Sequence, residues 1–283
     1  MRSTASDSTL STFTAGDGDN IAMQDWPLPE GIELRGVVIV VHGLGEHAGR
    51  YDAVARRLNS WGFAVRGYDQ YGHGESGGVR GALPDDSRLL DDLGDVVDST
   101  RLRMAEGMPL ILLGHSMGGL VVARFVAGGR RDVDGVVLSS PAFDPGLSGF
   151  QKLLLSILPR FVPNLPVGNG LDPNYISHEP KVVAAYRKDP LVHDRITPRL
   201  AKFIADGGPA CVASAAQWKV PTLLMYAGDD RLVNPAGSRT FAAAAPGHVV
   251  TSQCFEGLYH EIFNERDPEP VFSVLKRWLE TWF

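Results

Sequence analysis

The chain is predicted to fold as an α/β protein with a mostly parallel central sheet, helices on both faces and an inserted helical cap. Short apolar, mostly β-branched-rich runs alternate with helical segments along most of its length, which is the pattern of strands covered on both sides. One long interval breaks that rhythm. One apolar run, Leu110–Leu113, leads straight into Gly114-His115-Ser116-Met117-Gly118 and then a helix-like segment, Leu120–Val126.

In chain order, Thr12–Ala15 and Ile21–Gln24 flank Gly16-Asp17-Gly18-Asp19-Asn20. These residue types favour the positive φ of tight turns, so the chain opens with a hairpin. Val37–Val41, Phe63–Val65, Leu110–Leu113, Val136–Leu138, Thr222–Tyr226 and Val249–Phe255 then read as strands, separated by helical segments such as Tyr51–Ser60, Ser87–Met104 and Pro270–Trp282. The interval Phe143–Gln217 has a leucine-rich stretch, several prolines and no clear strand. It reads as a cap over residues 143–217, leaving 10–142 and 218–283 as one discontinuous core.

Within the cap, Phe150, Leu154, Ile157, Leu158 and Phe161 recur at helical spacing, with Leu153, Leu155 and Val162 broadening the apolar surface. Two readings are open: a helix packed on its own domain, or a face that lines an acyl-chain tunnel or meets lipid. Pro159 and Pro163 are expected to end this helix early.

Composition narrows the function classes. With 283 residues, 44% hydrophobic, the chain can bury a large core. No apolar run approaches the ~18 residues needed to span a bilayer, and Met1 to Asn20 is polar where a signal peptide is apolar, so a cytoplasmic location is expected. The formal net charge of −6, without a basic block, argues against nucleic acid and against an electrostatic hold on anionic membranes. Cys211 and Cys254 fit no metal spacing and read as ordinary thiols. His260-Glu261-Ile262-Phe263-Asn264 is not His-Glu-x-x-His, and neither a metal nor a cofactor is expected.

Gly-x-Ser-x-Gly alone is weak: at ordinary Gly and Ser usage of about 7% each, chance yields it in roughly one chain of this length in ten. Its place between strand and helix makes it an elbow that lifts the Ser116 hydroxyl clear of its neighbours. A serine nucleophile needs a base, and the base an orienting acid; in a parallel sheet both come from the carboxyl ends of other strands. After Thr222–Tyr226 come Asp229 and Asp230, and after Val249–Phe255 comes His260. The order Ser, Asp, His is that of the α/β hydrolases. Ser116 is the expected nucleophile, His260 the base and Asp230 the acid; Asp229 competes for the last role and is otherwise a turn residue.

An oxyanion needs two donors aimed at it. The Met117 N–H is one, and the Gly-rich turn after Val41, through the Leu44 N–H, is the other. His42 and His115 sit inside these motifs and are read as steadying loops. His47, His73, His178, His193 and His248 are read as structural or exposed, with lining the pocket an open alternative for His193.

His42-Gly43-Leu44-Gly45-Glu46-His47 with Gly49-Arg50-Tyr51, Asp69-Gln70-Tyr71-Gly72-His73-Gly74-Glu75-Ser76, and Gly114-His115-Ser116-Met117-Gly118-Gly119 together resemble the monoacylglycerol lipase and lysophospholipase branch of the α/β hydrolases. The resemblance covers roughly residues 30–280. It implies hydrolysis of a small lipid ester, monoacylglycerol to fatty acid and glycerol, through an acyl-enzyme and without a cofactor. It places the nucleophile, acid, base and oxyanion amides on Ser116, Asp230, His260, Leu44 and Met117. Lysophospholipase or broad carboxylesterase activity needs only a different cap. A proline-iminopeptidase needs an acidic cap group, for which Glu179 is available. Transient contact of the cap with a lipid surface is a further expectation, and a ligand receptor with vestigial catalysis is the alternative from a different class.

Overall fold

In a computed structural model, residues 8–16, 18–146 and 148–283 are described; residues 1–7 of the polar N-terminal stretch and the side chains of Phe150 and Lys152 lie outside that description. The chain opens with β1 (Thr9–Thr14) and β2 (Asn20–Trp26), paired antiparallel as the turn residues between them predict. There follow β3 (Gly36–Val41), α1 (Asp52–Ser60), β4 (Phe63–Tyr68), α2 (Arg88–Arg101), β5 (Leu110–His115), α3 (Met117–Ala127) and β6 (Gly135–Ser139). The interval after β6 holds α4 (Gly149–Phe161), β7 (Val167–Gly168), α5 (Pro180–Lys188), β8 (Arg195–Ile196) and α6 (Pro198–Ser214). The chain closes with β9 (Thr222–Ala227), α7 (Ala236–Ala244), β10 (Val250–Phe255) and α8 (Glu269–Trp282).

The main sheet has the order β1-β2-β4-β3-β5-β6-β9-β10. Every pairing from β4 to β10 is parallel, and β2 joins β4 antiparallel. Alternation along each strand divides the core in two. Val38 and Val40, Ile111 and Leu113, and Leu223 and Met225 pack with Leu58 of α1 and Leu275 and Trp278 of α8. Ile39 and Val41, Leu110 and Leu112, and Leu224 and Tyr226 face the other way, onto Leu93 of α2, Leu120 and Phe125 of α3 and Phe203 of α6. Both layers are buried, so these strands read as unbroken apolar runs.

The interval 143–217 differs from the sequence reading in detail. It contains a two-residue antiparallel ribbon, β7 with β8, where no strand is legible. α4 begins with a capping box of Ser148 and Gln151, runs through Pro159 and ends at Phe161, later than its prolines predict. Proline removes one donor from the last turn, and the Val162 N–H still reaches the Leu158 carbonyl at 2.8 Å, so the helix closes just before Pro163. α6 packs against α3, where Gly207 sits against Leu120 and Arg124, and sends Leu200, Phe203, Ile204 and Cys211 into the larger cluster. No helix among the described residues is long and apolar enough to cross a membrane.

Candidate active site

Because β3, β5, β9 and β10 run parallel, their carboxyl ends share one edge of the sheet, and the segments leaving them converge there. Ser116 occupies the junction of β5 and α3 with φ 53° and ψ −119°, a conformation that ordinarily costs a non-glycine residue about 1–3 kcal/mol. The surroundings hold it there. The Ser116 N–H donates to the Ser139 carbonyl at 3.0 Å, while the Ser116 carbonyl accepts from Leu120 at 3.1 Å and Ala142 at 3.0 Å. Side chains at the flanking glycines would collide with backbone: a Cβ on Gly114 with the Gly118 carbonyl, and one on Gly118 with the carbonyls of Val41 and His42.

His260 follows β10 and is buried, and its Nδ1 lies 2.7 Å from Asp230 Oδ2. Asp230 follows β9; its Oδ1 accepts from the Leu232 and Val233 amides, both at 2.9 Å, which fixes the carboxylate before it meets the imidazole. Asp229 instead pairs with Arg231 at 3.3 Å on the surface. Burial pushes the His260 pKa down, but the charge and hydrogen bond of Asp230, with Glu261 and Glu46 beyond, outweigh it and leave the imidazole above its ordinary value. Burial likewise pushes Asp230 up; His260 and the two amides hold it below the usual carboxylate range. With Nδ1–H given to Asp230, Nε2 is the nitrogen free to take a proton.

Ser116, His260, Leu44 and Met117 all line one cavity of about 970 Å³. Met117 opens α3, so its N–H has no partner within the helix, and Leu44 sits in a turn that Gly45 closes with φ 77°. The Gly43 N–H donates to Glu46 Oε1 at 2.6 Å, and a Cβ at Gly43 would come within 3.2 Å of Ser116 Cβ. Only glycine lets this turn approach the elbow so closely.

The other motif histidines steady the loops. His42 accepts from the Gln70 amide at Nε2, 2.9 Å, which puts its proton on Nδ1, 2.7 Å from the Gly43 carbonyl. His115 sits 3.1 Å from the Ser139 carbonyl and packs on His260 at 4.7 Å between ring centroids; burial and that neighbour push it down to about 4, so it stays neutral beside His260. His178 pairs with Glu265 at 2.9 Å and stacks on Tyr259. His193 lines the cavity.

Sequence reasoning passes over a buried charge network behind this site. Arg50 lies 2.5 Å from Glu46 and 2.7 Å from Glu261, and Tyr51 donates to Glu46 at 2.7 Å. Burial opposes the Glu46 charge, yet Arg50 and the nearby histidines hold its pKa at about 2. The available signals were the four-residue spacing of Glu46 and Arg50 and the adjacency of Glu261 to His260.

Leu154, Leu155 and Leu158 of α4 form an apolar wall of the cavity with Ile176, Ile204 and Val233. Leu153, Ile157 and Phe161, on the adjoining face of the helix, are exposed, Phe161 to 78%. Glu179 caps α5 through the Lys181 amide at 3.2 Å and contributes nothing to the cavity lining.

Comparison with known proteins agrees with this architecture. The family model Hydrolase_4, described as serine aminopeptidase, S33, matches residues 32–267. The chain is 37% identical to a monoacylglycerol lipase of Mycolicibacterium smegmatis over 271 residues, 95% of each chain. It superposes on the crystal structure of a Paleococcus ferrophilus monoacylglycerol lipase with a TM-score of 0.82 and 35% identity, covering 93% of this chain and 99% of that one. A soluble variant of the Saccharomyces cerevisiae monoglyceride lipase, solved with a substrate analog, shares the fold at a TM-score of 0.88 and 24% identity, over 99% of this chain and 97% of that one.

Proposed function

Since the chain belongs to the Hydrolase_4 family of α/β serine hydrolases, we propose that it is a carboxylester hydrolase that cleaves monoacylglycerol to fatty acid and glycerol. The observation that carries the reading is one cavity in which Ser116 and His260 meet a wall of leucines from α4. A hydroxyl and an imidazole supply the chemistry, and the leucines supply a surface for an acyl chain.

In this mechanism His260 Nε2 takes the Ser116 proton as Oγ attacks the ester carbonyl. Asp230 fixes the tautomer and stabilises the imidazolium, and the Leu44 and Met117 amides receive the oxyanion; each such donor is typically worth about 3 kcal/mol. His260 returns the proton to the departing alcohol. It then draws one from the water that releases the fatty acid and frees Ser116. Residues 143–217 act as the cap that sizes the acyl site, and the exposed Leu153, Ile157 and Phe161 form the face for transient contact with a lipid surface. Glu179, the group available for a substrate amine, is committed to capping α5, which favours an ester over an aminopeptide.

The test is hydrolysis of monoacylglycerols and p-nitrophenyl esters of graded chain length by the wild type and Ser116→Ala. Turnover of monoacylglycerol that vanishes in the variant is the expected result. Reaction with short activated esters alone makes the protein a general esterase, and no turnover of any ester overturns the reading.

A further inference from the structure

The cavity is not apolar throughout. At the end bordered by the Leu44–Gly45 turn its lining becomes polar, with Arg80, Asn169, His193 and Arg195. The His193 N–H donates to the Gly45 carbonyl at 2.9 Å, so this wall is docked on the turn that carries a candidate oxyanion donor.

Arg80 is held in place by its backbone. The Gly72 N–H donates to Gly77 at 2.8 Å, Gly81 to Gly72 at 3.1 Å, Ala82 to Val79 at 2.9 Å and Thr197 to Gly81 at 2.9 Å. A Cβ on Gly81, where φ is 69°, would collide with the Arg195 carbonyl. The loop is thus pinned on both sides of Arg80, and its side chain reaches the cavity from a fixed base.

At its tip the guanidinium is unanswered. Nη1 is fully buried without a hydrogen-bond partner, and Arg80 makes no ion pair among the described residues. The other arginines of the lining are engaged: Arg187 with Asn174 at 2.9 Å, Arg195 with Asp194 at 3.2 Å and Arg231 with Asp229 at 3.3 Å. Among the acids of the lining, Glu46 and Glu261 are engaged by Arg50, Asp189 by His47, Asp194 by Arg195, and Asp172 accepts the Asn174 amide. Burial, and the Arg80 charge after it, keeps His193 neutral, with a pKa of about 4. Asn169 accepts from the Leu171 amide through Oδ1 at 2.9 Å, which leaves its amide nitrogen as a donor beside Gly45. Arg80 as a whole is half-buried, but a guanidinium whose Nη1 is sealed from water without a counter-charge is costly, and its planar fork matches a phosphate better than a hydroxyl.

We propose that Arg80, with Asn169 beside it, forms a subsite for a phosphate on the alcohol half of the ester, and that acyl esters of glycerol phosphate are preferred over those of free glycerol. This rests on the ester-hydrolase reading above. The phosphate is held and not transferred: water adds to the acyl carbon, the acyl C–O bond breaks, the fatty acid and glycerol phosphate depart, and the P–O bonds stay intact.

The experiment compares kcat/KM for a monoacylglycerol and for the 3-phosphate of the same monoacylglycerol, at a chain length soluble as monomer, in wild type, Arg80→Met and Arg80→Lys. In parallel, glycerol 3-phosphate is titrated calorimetrically into Ser116→Ala with and without Arg80→Met. The expected result is a phosphate-over-neutral preference that falls about 10- to 100-fold in Arg80→Met and is partly restored by Lys, with Arg80-dependent binding of glycerol 3-phosphate. A preference equal in wild type and Arg80→Met, without Arg80-dependent binding, overturns the subsite while the hydrolase reading stands. If neither ester is cleaved, that reading fails and the titration alone decides the subsite.

Discussion

Arg50 grips Glu261 with two parallel bonds, Nη1 to Oε1 at 2.7 Å and Nη2 to Oε2 at 2.8 Å, across 211 positions of sequence. The same Nη1 reaches Glu46 at 2.5 Å, and Glu46 in turn accepts the Gly43 amide. One guanidinium therefore ties the turn that carries Leu44 to the segment that carries His260.

Removing it leaves two carboxylates buried against each other. Arg50→Met is expected to destabilise the fold by about 3–5 kcal/mol in urea denaturation. Arg50→Lys, which keeps the charge but not the planar fork, is expected to lose less. Equal stability of wild type and Arg50→Met would show that the network does not hold these loops.

The elbow and its base predict a graded loss of turnover. Ser116→Ala is expected to lower kcat by about 10⁶-fold, and Asp230→Asn, which upsets the tautomer of His260, by about 10⁴-fold. A Ser116→Ala enzyme that turns over like the wild type would remove Ser116 from the chemistry.

The His260 pKa lies above its ordinary value of 6.5, because Asp230 and its neighbours outweigh burial. In the proposed mechanism His260 must be neutral to accept the serine proton. The acid limb of the kcat/KM profile is therefore expected to have its midpoint above 6.5, with activity rising as pH increases through it. In Asp230→Asn that midpoint is expected to move down. A wild-type midpoint below 6.5 would mean that another group governs the limb.

Glu46 has the opposite sign. Its pKa falls from 4.5 to about 2 on folding, so its contribution to stability is complete above 4.5 and is lost as pH falls towards about 2. Over that window the unfolded chain binds a proton that the folded one does not. The stability of Glu46→Gln is expected to decline less steeply there than that of wild type, measured by denaturation at graded acid pH. Parallel curves would contradict the assignment.

The α4 wall predicts a size limit. Leu158→Trp, which adds bulk inside the cavity, is expected to abolish turnover of the longest acyl esters while sparing the shortest. A chain-length profile that does not move would place the acyl chain elsewhere.

The parts of the fold that were legible were those whose residues are dictated by a single demand. Leu110–Leu113 must be apolar on both faces, and Ser116 must be flanked by glycines, so strand and elbow can be read directly from the chain. Following the carboxyl ends of such strands leads to Ser116, Asp230 and His260 as candidates, and the structure brings them to one edge of the sheet, with Asp229 turned to Arg231. α6 was illegible for the opposite reason. Its Gly207 and Gly208 allow it to lie close to α3 and the Phe143 carbonyl, and with Pro209 they mimic a loop in sequence. The Arg50 network was hidden because Glu261 is remote in sequence, and Arg80 because an arginine in a glycine-rich loop ordinarily signals solvent.

The His193 N–H bonded to Gly45, and the Thr197 N–H bonded to Gly81, bear on how this scaffold can be rebuilt. The stretch between β6 and β9, proposed above as the cap, is also a brace. Its later part clamps the glycine turns that carry the proposed oxyanion donor and Arg80. A graft that exchanges the whole stretch for another would take away the clamp along with the proposed acyl wall, whereas exchange confined to α4 would keep the clamp. The interchangeable module is therefore smaller than the stretch between β6 and β9.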